Sequence, residues 1–155
     1  MAGIDAKRFA RVLAGFERIG LDTPILIYHL EDIRPYSELT TQLLAQAAAG
    51  AVQLLISTVT VAELLVGAWR KGDDAAVQVE GAVLALPGAS FVDVNWAIAA
   101  RAAQIRAQSV LPLPDALIVA TALHREATAV LTNDAAWRTT SLPSRVLVLE
   151  DFLSD

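Results

Sequence analysis

The sequence predicts an α/β fold, a single domain with a central parallel β-sheet flanked by helices on both faces. Three observations predict it. Short β-like runs alternate with longer runs at helical spacing along most of the chain. Breaks at Pro35, Gly50, Gly72, Pro87-Gly88, Pro112, Pro114 and Pro143 separate those runs. The length of 155 residues with 55% hydrophobic content suits one domain around one buried core. Strands alternating with helices favour a parallel sheet covered on both sides, because each parallel connection needs a crossover.

Taken in order, residues 5–15 suit a short basic helix with Phe9, Val12, Leu13 and Phe16 on one side. Residues 1–16 are read as an N-terminal extension, and 17–155 as the domain proper. Residues 17–22 read as a strand, then 24–31 and 36–49 as helices split at Arg34-Pro35. Gln53–Ser57 is a strand and 59–71 a helix closed by Gly72. A helix over 74–86 runs to Pro87-Gly88, followed by a strand from Phe91 to Val94. Residues 95–109 are helical until the LPLP break, and 115–126 are helical again. A strand at 129–132, a helical turn at 134–138, a strand at 145–149 and a terminal turn complete the chain. No internal repeat or low-complexity segment interrupts it.

Composition narrows the function classes. There is no cysteine, which excludes disulfides and thiolate zinc sites and fits a reducing cytoplasm. The N-terminus lacks the apolar run of a signal peptide, and Gln53, Ser57, Thr60 and Glu63 break the longest apolar stretches, so no membrane span is expected. The net charge of -5 argues against a sequence-blind polyanion binder. It weighs little against RNA as substrate if four of the acids serve as ligands. Setting those four aside leaves 13 acids against 12 bases.

The four acids are Asp22, Glu63, Asp115 and Asp134, each near a strand-to-helix crossing. In parallel sheets, ligands bind outside the carboxyl ends of the strands. Each acid has a structural explanation. Asp22 and Thr23 precede Pro24, as an N-cap would. Glu63 stands three residues after Thr60, the capping-box spacing. Asp115 lies in a helical first turn, where the dipole favours an anion. Asp134 can cap the turn over Ala135–Trp137. Capping does not require acids, however, and this chain uses four on one edge. Two carboxylates about 4 Å apart repel by roughly 4 kcal/mol at an effective dielectric near 20. Such a cluster calls for protonation or a bridging cation, and oxygen-only ligation points to Mg²⁺ or Mn²⁺.

The motifs LDTPILIY, ISTVTVAELLVGA, DALIVATA and LTNDAAW, in this order, resemble the PIN-domain ribonucleases, and specifically the VapC-type toxins of bacterial toxin–antitoxin pairs. The resemblance runs from about Glu17 to Phe152. It implies that Asp22, Glu63 and Asp115 hold Mg²⁺, with Mn²⁺ able to substitute, and that Asp134 supports a second ion or a bound water. Thr23 and Thr132 are the implied supporting hydroxyls. Pro24 departs from the pattern, standing where Asn or Ser is common. The implied activity is metal-dependent endoribonucleolytic cleavage of structured RNA, such as tRNA or rRNA, in single-stranded loops. The implied partners are a cognate small antitoxin, a second copy of the chain through helical surfaces near residues 36–71, and operator DNA only through the antitoxin, possible higher assemblies included.

Basic residues that could hold RNA are Arg70, Lys71, Arg101 and Arg106. Lys7, Arg8 and Arg11 form the densest basic patch, which either touches nucleic acid or simply solvates a terminal helix. Trp69, Trp96 and Trp137 could stack bases, but each falls in an apolar helical pattern and is expected in the core. His29 and His124 have no nucleophile pattern nearby and read as structural or surface residues. A phospho-acceptor receiver domain competes on fold class, but Asp22 is followed by Thr23 rather than a second acid, and residues 129–149 contain no Lys. A housekeeping RNA-processing nuclease of the same fold, and a non-catalytic module that only binds antitoxin and operator DNA, are the remaining alternatives.

Overall fold

The computed structural model describes residues 3–154. Its elements are β1 (Gly3–Ile4), α1 (Ala6–Leu13), β2 (Arg18–Leu21), α2 (Thr23–Leu30), α3 (Tyr36–Ala48), β3 (Gln53–Ser57), α4 (Thr58–Trp69), α5 (Asp73–Leu84), β4 (Ala89–Val92), α6 (Trp96–Gln108), α7 (Leu113–His124), β5 (Ala129–Thr132), β6 (Arg145–Val148) and β7 (Leu153–Ser154). Two 3₁₀ turns, Ala135–Thr139 and Leu149–Phe152, flank β6. Among the described residues, no helix is long and apolar enough to cross a membrane.

Five strands form one all-parallel sheet in the order β4-β3-β2-β5-β6. After β1 and α1, the chain enters this sheet at the central strand β2, builds outward through β3 and β4, then returns to β2's other side with β5. The strand order therefore reverses at β2, and the crevice beyond its carboxyl end is where such sheets bind ligands.

Side chains alternate across the sheet with period two. Leu54 and Ile56 enter the core beneath α1, α2 and α3, while Leu55 enters the core beneath α6 and α7. On β5, Ala129 and Leu131 take the first side and Val130 the second. Helix α7 comes so close to β2 that a Cβ at Gly20 would lie 2.5 Å from the Ala122 Cβ. That approach leaves room only for glycine.

Several boundaries shift by a residue or two from the sequence reading, two of them for clear physical reasons, and one strand pair is added. Helix α7 starts at Leu113, not at Asp115, because a proline in the first turn lacks only an N–H that has no helical partner anyway. Strand β4 begins at Ala89, directly after the Pro87-Gly88 turn, in register with Leu54–Ser57 of β3. The antiparallel pair β1–β7 was not foreseen, since two residues carry no periodic signal. It brings the two ends of the described chain together. The Asp5 N–H donates to the Phe152 carbonyl at 2.7 Å, and the Phe9 and Phe152 rings pack at 4.9 Å. Phe9 and Leu13 of α1 are buried in the same core as α2 and α3.

Candidate active site at the carboxyl edge of the sheet

Asp22 follows β2 at the point where the strand order reverses. Its extended backbone (φ -75°, ψ 152°) makes it the N-cap of α2, and its Oδ1 accepts the Thr23 N–H at 2.8 Å. Its Oδ2 accepts the Thr132 hydroxyl at 2.7 Å. The residue is 5% exposed. Burial above all, joined by the charges of Asp115 and Glu63, outweighs the bonds from Thr132 and Thr23, and together they leave the carboxyl pushed up to about 6.

Glu63 lies on α4, whose true N-cap is Ser57; the Ser57 Oγ accepts the Val59 N–H at 3.1 Å. Helix α4 therefore starts three residues earlier than a Thr60 cap would require, and the capping-box reading of Glu63 is corrected. Thr60 is fully buried, with its hydroxyl 3.0 Å from that of Thr23. Thr23 has one proton and directs it to Glu63 Oε1 at 2.8 Å. The hydroxyls of Thr60 and Thr23 thus tether α4 to α2 and aim the Glu63 carboxylate.

Asp115 is half-buried in the first turn of α7, where Pro112 offers no side-chain cap. Burial raises its pKa, the indole N–H of Trp137 opposes, and the charges of Glu63 and Asp134 raise it further. Trp137 is fully buried. Its Nε1 is near enough to favour the ionised Asp115 but meets hydrogen-bond geometry with no group. Asp134 is exposed and caps the 3₁₀ turn, its Oδ1 accepting the Ala136 N–H at 2.9 Å. The capping role read from sequence is therefore real. The Asp134 N–H donates to Thr132 Oγ1 at 3.0 Å, so one hydroxyl links the Asp134 backbone to the Asp22 carboxylate.

The four acids share one electrostatic neighbourhood. Asp22 senses Asp115 and Glu63, and Asp115 senses Glu63 and Asp134. Among the described residues, none of the four forms an ion pair with Lys or Arg. Nor are any three acidic or histidine side chains close enough to hold an ion as they stand. The donor chemistry nevertheless fits a hard divalent cation, because it is all oxygen, with a buried carboxylate that has no counter-charge.

Asn133 and Tyr28 went unremarked in the sequence. The Asn133 Nδ2 donates to the Tyr28 hydroxyl at 3.1 Å, and its Oδ1 accepts the Glu150 N–H at 2.8 Å. These bonds fix the turn between Thr132 and Asp134. The Asn preceding a candidate acid was the available signal.

The basic candidates are dispersed. Lys71 pairs with Glu31 at 3.1 Å, and both line a groove of about 290 Å³ that also reaches Glu63. Arg70 is exposed beside it. Arg101 lines a separate cavity with Ser109 and Ser141, and Arg106 bonds the Ser109 carbonyl at 3.3 Å. The structure does not bring these two arginines to the acids. His124 sits 3.4 Å from Asn95, outside the acid group. Of the three tryptophans expected in the core, only Trp137 is buried; Trp69 is 59% and Trp96 88% exposed. Helix α4 is apolar nearly all round, so burying one side leaves Trp69 on the other.

The family pattern described as "PIN domain" matches residues 19–141. No curated protein matches the chain. Among solved structures, the chain is similar to a toxin–antitoxin complex from Klebsiella pneumoniae, with 29% identity, a TM-score of 0.62, and coverage of 85% of this chain and 97% of that one. It is also similar to FitAcB from Neisseria gonorrhoeae, with 22% identity, a TM-score of 0.67, and coverage of 86% and 98%. A third is VapBC2 from Rickettsia felis bound to a DNA fragment from its promoter, with 17% identity, a TM-score of 0.66, and coverage of 84% and 98%. The latter two share the fold. Because the matched pattern spans most of the sequence and encloses all four acids, the chain belongs to the PIN domain family.

Proposed function

We propose that this chain is a divalent-metal-dependent endoribonuclease and the toxin of a toxin–antitoxin pair. The observation that carries the reading is Asp22, a carboxylate buried at the sheet's switch point, pushed up to about 6, and surrounded by further acids rather than by bases. Asp22, Glu63 and Asp115 would hold Mg²⁺ or Mn²⁺, with Asp134 in support. When bound, such an ion lowers the pKa of a water and polarises a phosphodiester.

The chain's own contribution is positioning. Thr132 and the Thr23 N–H occupy both oxygens of Asp22 and fix its plane. Thr23 aims Glu63. The Trp137 N–H favours the ionised form of Asp115. Attack of water on phosphorus with the 3′-oxygen as leaving group would leave 5′-phosphate and 3′-hydroxyl ends, the outcome the family resemblance implies. Single-stranded loops of structured RNA suit the exposed edge, since splayed nucleotides reach a cleft that a duplex cannot enter.

The groove beside Glu63 supports the partner half of the proposal. Ile27, Leu30, Leu64 and Val79 give it an apolar floor, with Glu31 and Lys71 at the rim. It suits the C-terminal segment of a small antitoxin whose basic side chain would reach the acids. The similarity to a toxin–antitoxin complex favours such a partner, and contact with operator DNA would pass through it. Val66 and Trp69, exposed on α4, are candidates for the contact in a homodimer.

Purified protein is incubated with total RNA in EDTA, Mg²⁺ or Mn²⁺, and the product ends are mapped. Cleavage is expected only with metal, lost in Asp22→Asn, Glu63→Gln and Asp115→Asn, and weakened in Asp134→Asn. Wild-type rates in Asp22→Asn, or cleavage that persists in EDTA, would sink the metal-nuclease reading.

A further inference from the structure

Three arginines meet away from the acids, at the amino edge of the sheet. Arg8 and Arg11 lie three apart on α1, hence on one face, and Arg145 opens β6. With Val12, Gly15 and Phe16 they line an open cavity of about 640 Å³. Arg145 is in register with Ala129, the first residue of β5, whereas Asp134 follows the last. The arginines and the acids are thus separated by the length of a strand, roughly 10 Å at about 3.3 Å per residue.

No carboxylate lines this cavity. Among the described residues, Arg11 and Arg145 make no ion pair. Arg8 donates to the Asp151 carbonyl at 2.7 Å, while the Asp151 carboxylate is taken by Arg138. Two of the guanidiniums are held over aromatic rings, Arg8 at 5.2 Å from the Phe152 centroid and Arg145 at 5.9 Å from that of Phe16. Such stacking restricts the side chains and presents their charge in place. Three gathered cations without an acid run against the chain's net charge of -5. All three also lie outside residues 19–141, so the family pattern does not account for them.

We propose that Arg8, Arg11 and Arg145 form a second phosphate-contacting site that grips the RNA substrate at a distance from its point of cleavage. The site rests on the ribonuclease reading for its ligand. A guanidinium fork matches phosphate oxygens. The sugar–phosphate backbone that must lie on the acidic edge is also long enough to continue around the molecule to the arginines. The site would therefore contribute to binding of any RNA long enough to span both sites and be irrelevant to a dinucleotide.

The test is the double variant Arg11→Gln/Arg145→Gln, with Arg8 retained because it helps dock α1. Both replaced side chains are exposed, and a thermal melt checks that the fold is unchanged. Fluorescence anisotropy in EDTA compares a tRNA-length transcript with a dinucleotide, too short to span the two sites, at several salt concentrations. For two lost phosphate contacts, the long RNA should bind about tenfold more weakly with a log–log salt slope shallower by about 1.4 to 1.8, and the dinucleotide should bind as before. In Mg²⁺, KM for the long RNA should rise with kcat unchanged. Equal loss on both RNAs, no loss on either, or equally effective competition by polyglutamate would overturn the site. If wild-type protein cleaves neither RNA in Mg²⁺ or Mn²⁺, the ribonuclease reading fails, and anisotropy alone decides the phosphate contact.

Discussion

Asp22 ionises only as pH approaches 6, because burial outweighs the bonds from Thr132 and Thr23. Its ordinary value is 3.8. Between these values the folded chain keeps a proton that the unfolded chain has lost. The stability contributed by this group is full below the unfolded pKa and is lost as pH rises through the folded one. A gap of about two pKa units corresponds to roughly 3 kcal/mol. In EDTA, Asp22→Asn should therefore be more stable than wild type at pH 7, by up to about 3 kcal/mol, with the difference closing near pH 4. Urea titrations across that range measure it, and a pH-independent difference would refute the account. Saturating Mg²⁺ should stabilise wild type but not the variant, by about 2.7 kcal/mol at a hundredfold excess over Kd. Thr132 invites a second test. It is fully buried and serves both Asp22 and the Asp134 N–H. Thr132→Val keeps the shape and removes both bonds, so a loss of about 1–3 kcal/mol is expected. Thr132→Ser should recover most of it in the same melts, and equal losses in the two variants would show that packing, not the hydroxyl, matters there.

Helix α7 carries Asp115, and Gly20 sets how closely that helix lies on β2. A Cβ at Gly20 would meet the Ala122 Cβ at 2.5 Å, which no side-chain rotation relieves. Gly20→Ala should cost about 1–3 kcal/mol through overpacking. It should also reduce cleavage more than its stability loss explains, because α7 must shift and move Asp115 away from Glu63. Chemical denaturation and activity of the folded fraction separate the two effects; a variant as stable as wild type would contradict the close-packing argument. At this scale much of the fold was legible. Strands β3 and β5 are short apolar runs between clear breaks, and they fall where the pattern places them. The start of α7 was not, because a proline looks like a breaker until the turn that tolerates it is known. Ser57 as the cap of α4 was hidden by Thr60 and Glu63, which match a capping box but are engaged with α2.

At the scale of the molecule, exposed apolar side chains mark where partners are expected. Trp69 and Val66 on α4 are 59% and 50% exposed, within the segment proposed for a homodimer. Trp96 on α6 is 88% exposed and lies outside it. Trp69→Lys should convert a dimer to monomer by light scattering, while Trp96→Lys should leave it dimeric. The opposite pattern would move the interface to α6, and a monomeric wild type at micromolar concentration would remove the dimer.

By itself the sequence determined the α/β class, the strand-and-helix alternation and the four acids, because periodicity and local turn chemistry act over a few residues. It also showed that the acids follow one pattern, since each stands near a crossing on the same edge. What it could not show is who faces whom. The Thr132 bond to Asp22 spans 110 positions and the Thr23 bond to Glu63 spans 40. The pairing of β2 with β5 brings Thr132 to Asp22, and the packing of α2 against α4 brings Thr23 to Glu63. The exposure of Trp69 and Trp96, and the meeting of Arg8 and Arg11 with Arg145, were likewise decided by tertiary packing. An apolar or basic pattern says which residues share a helix face, but the neighbouring elements determine which face is covered.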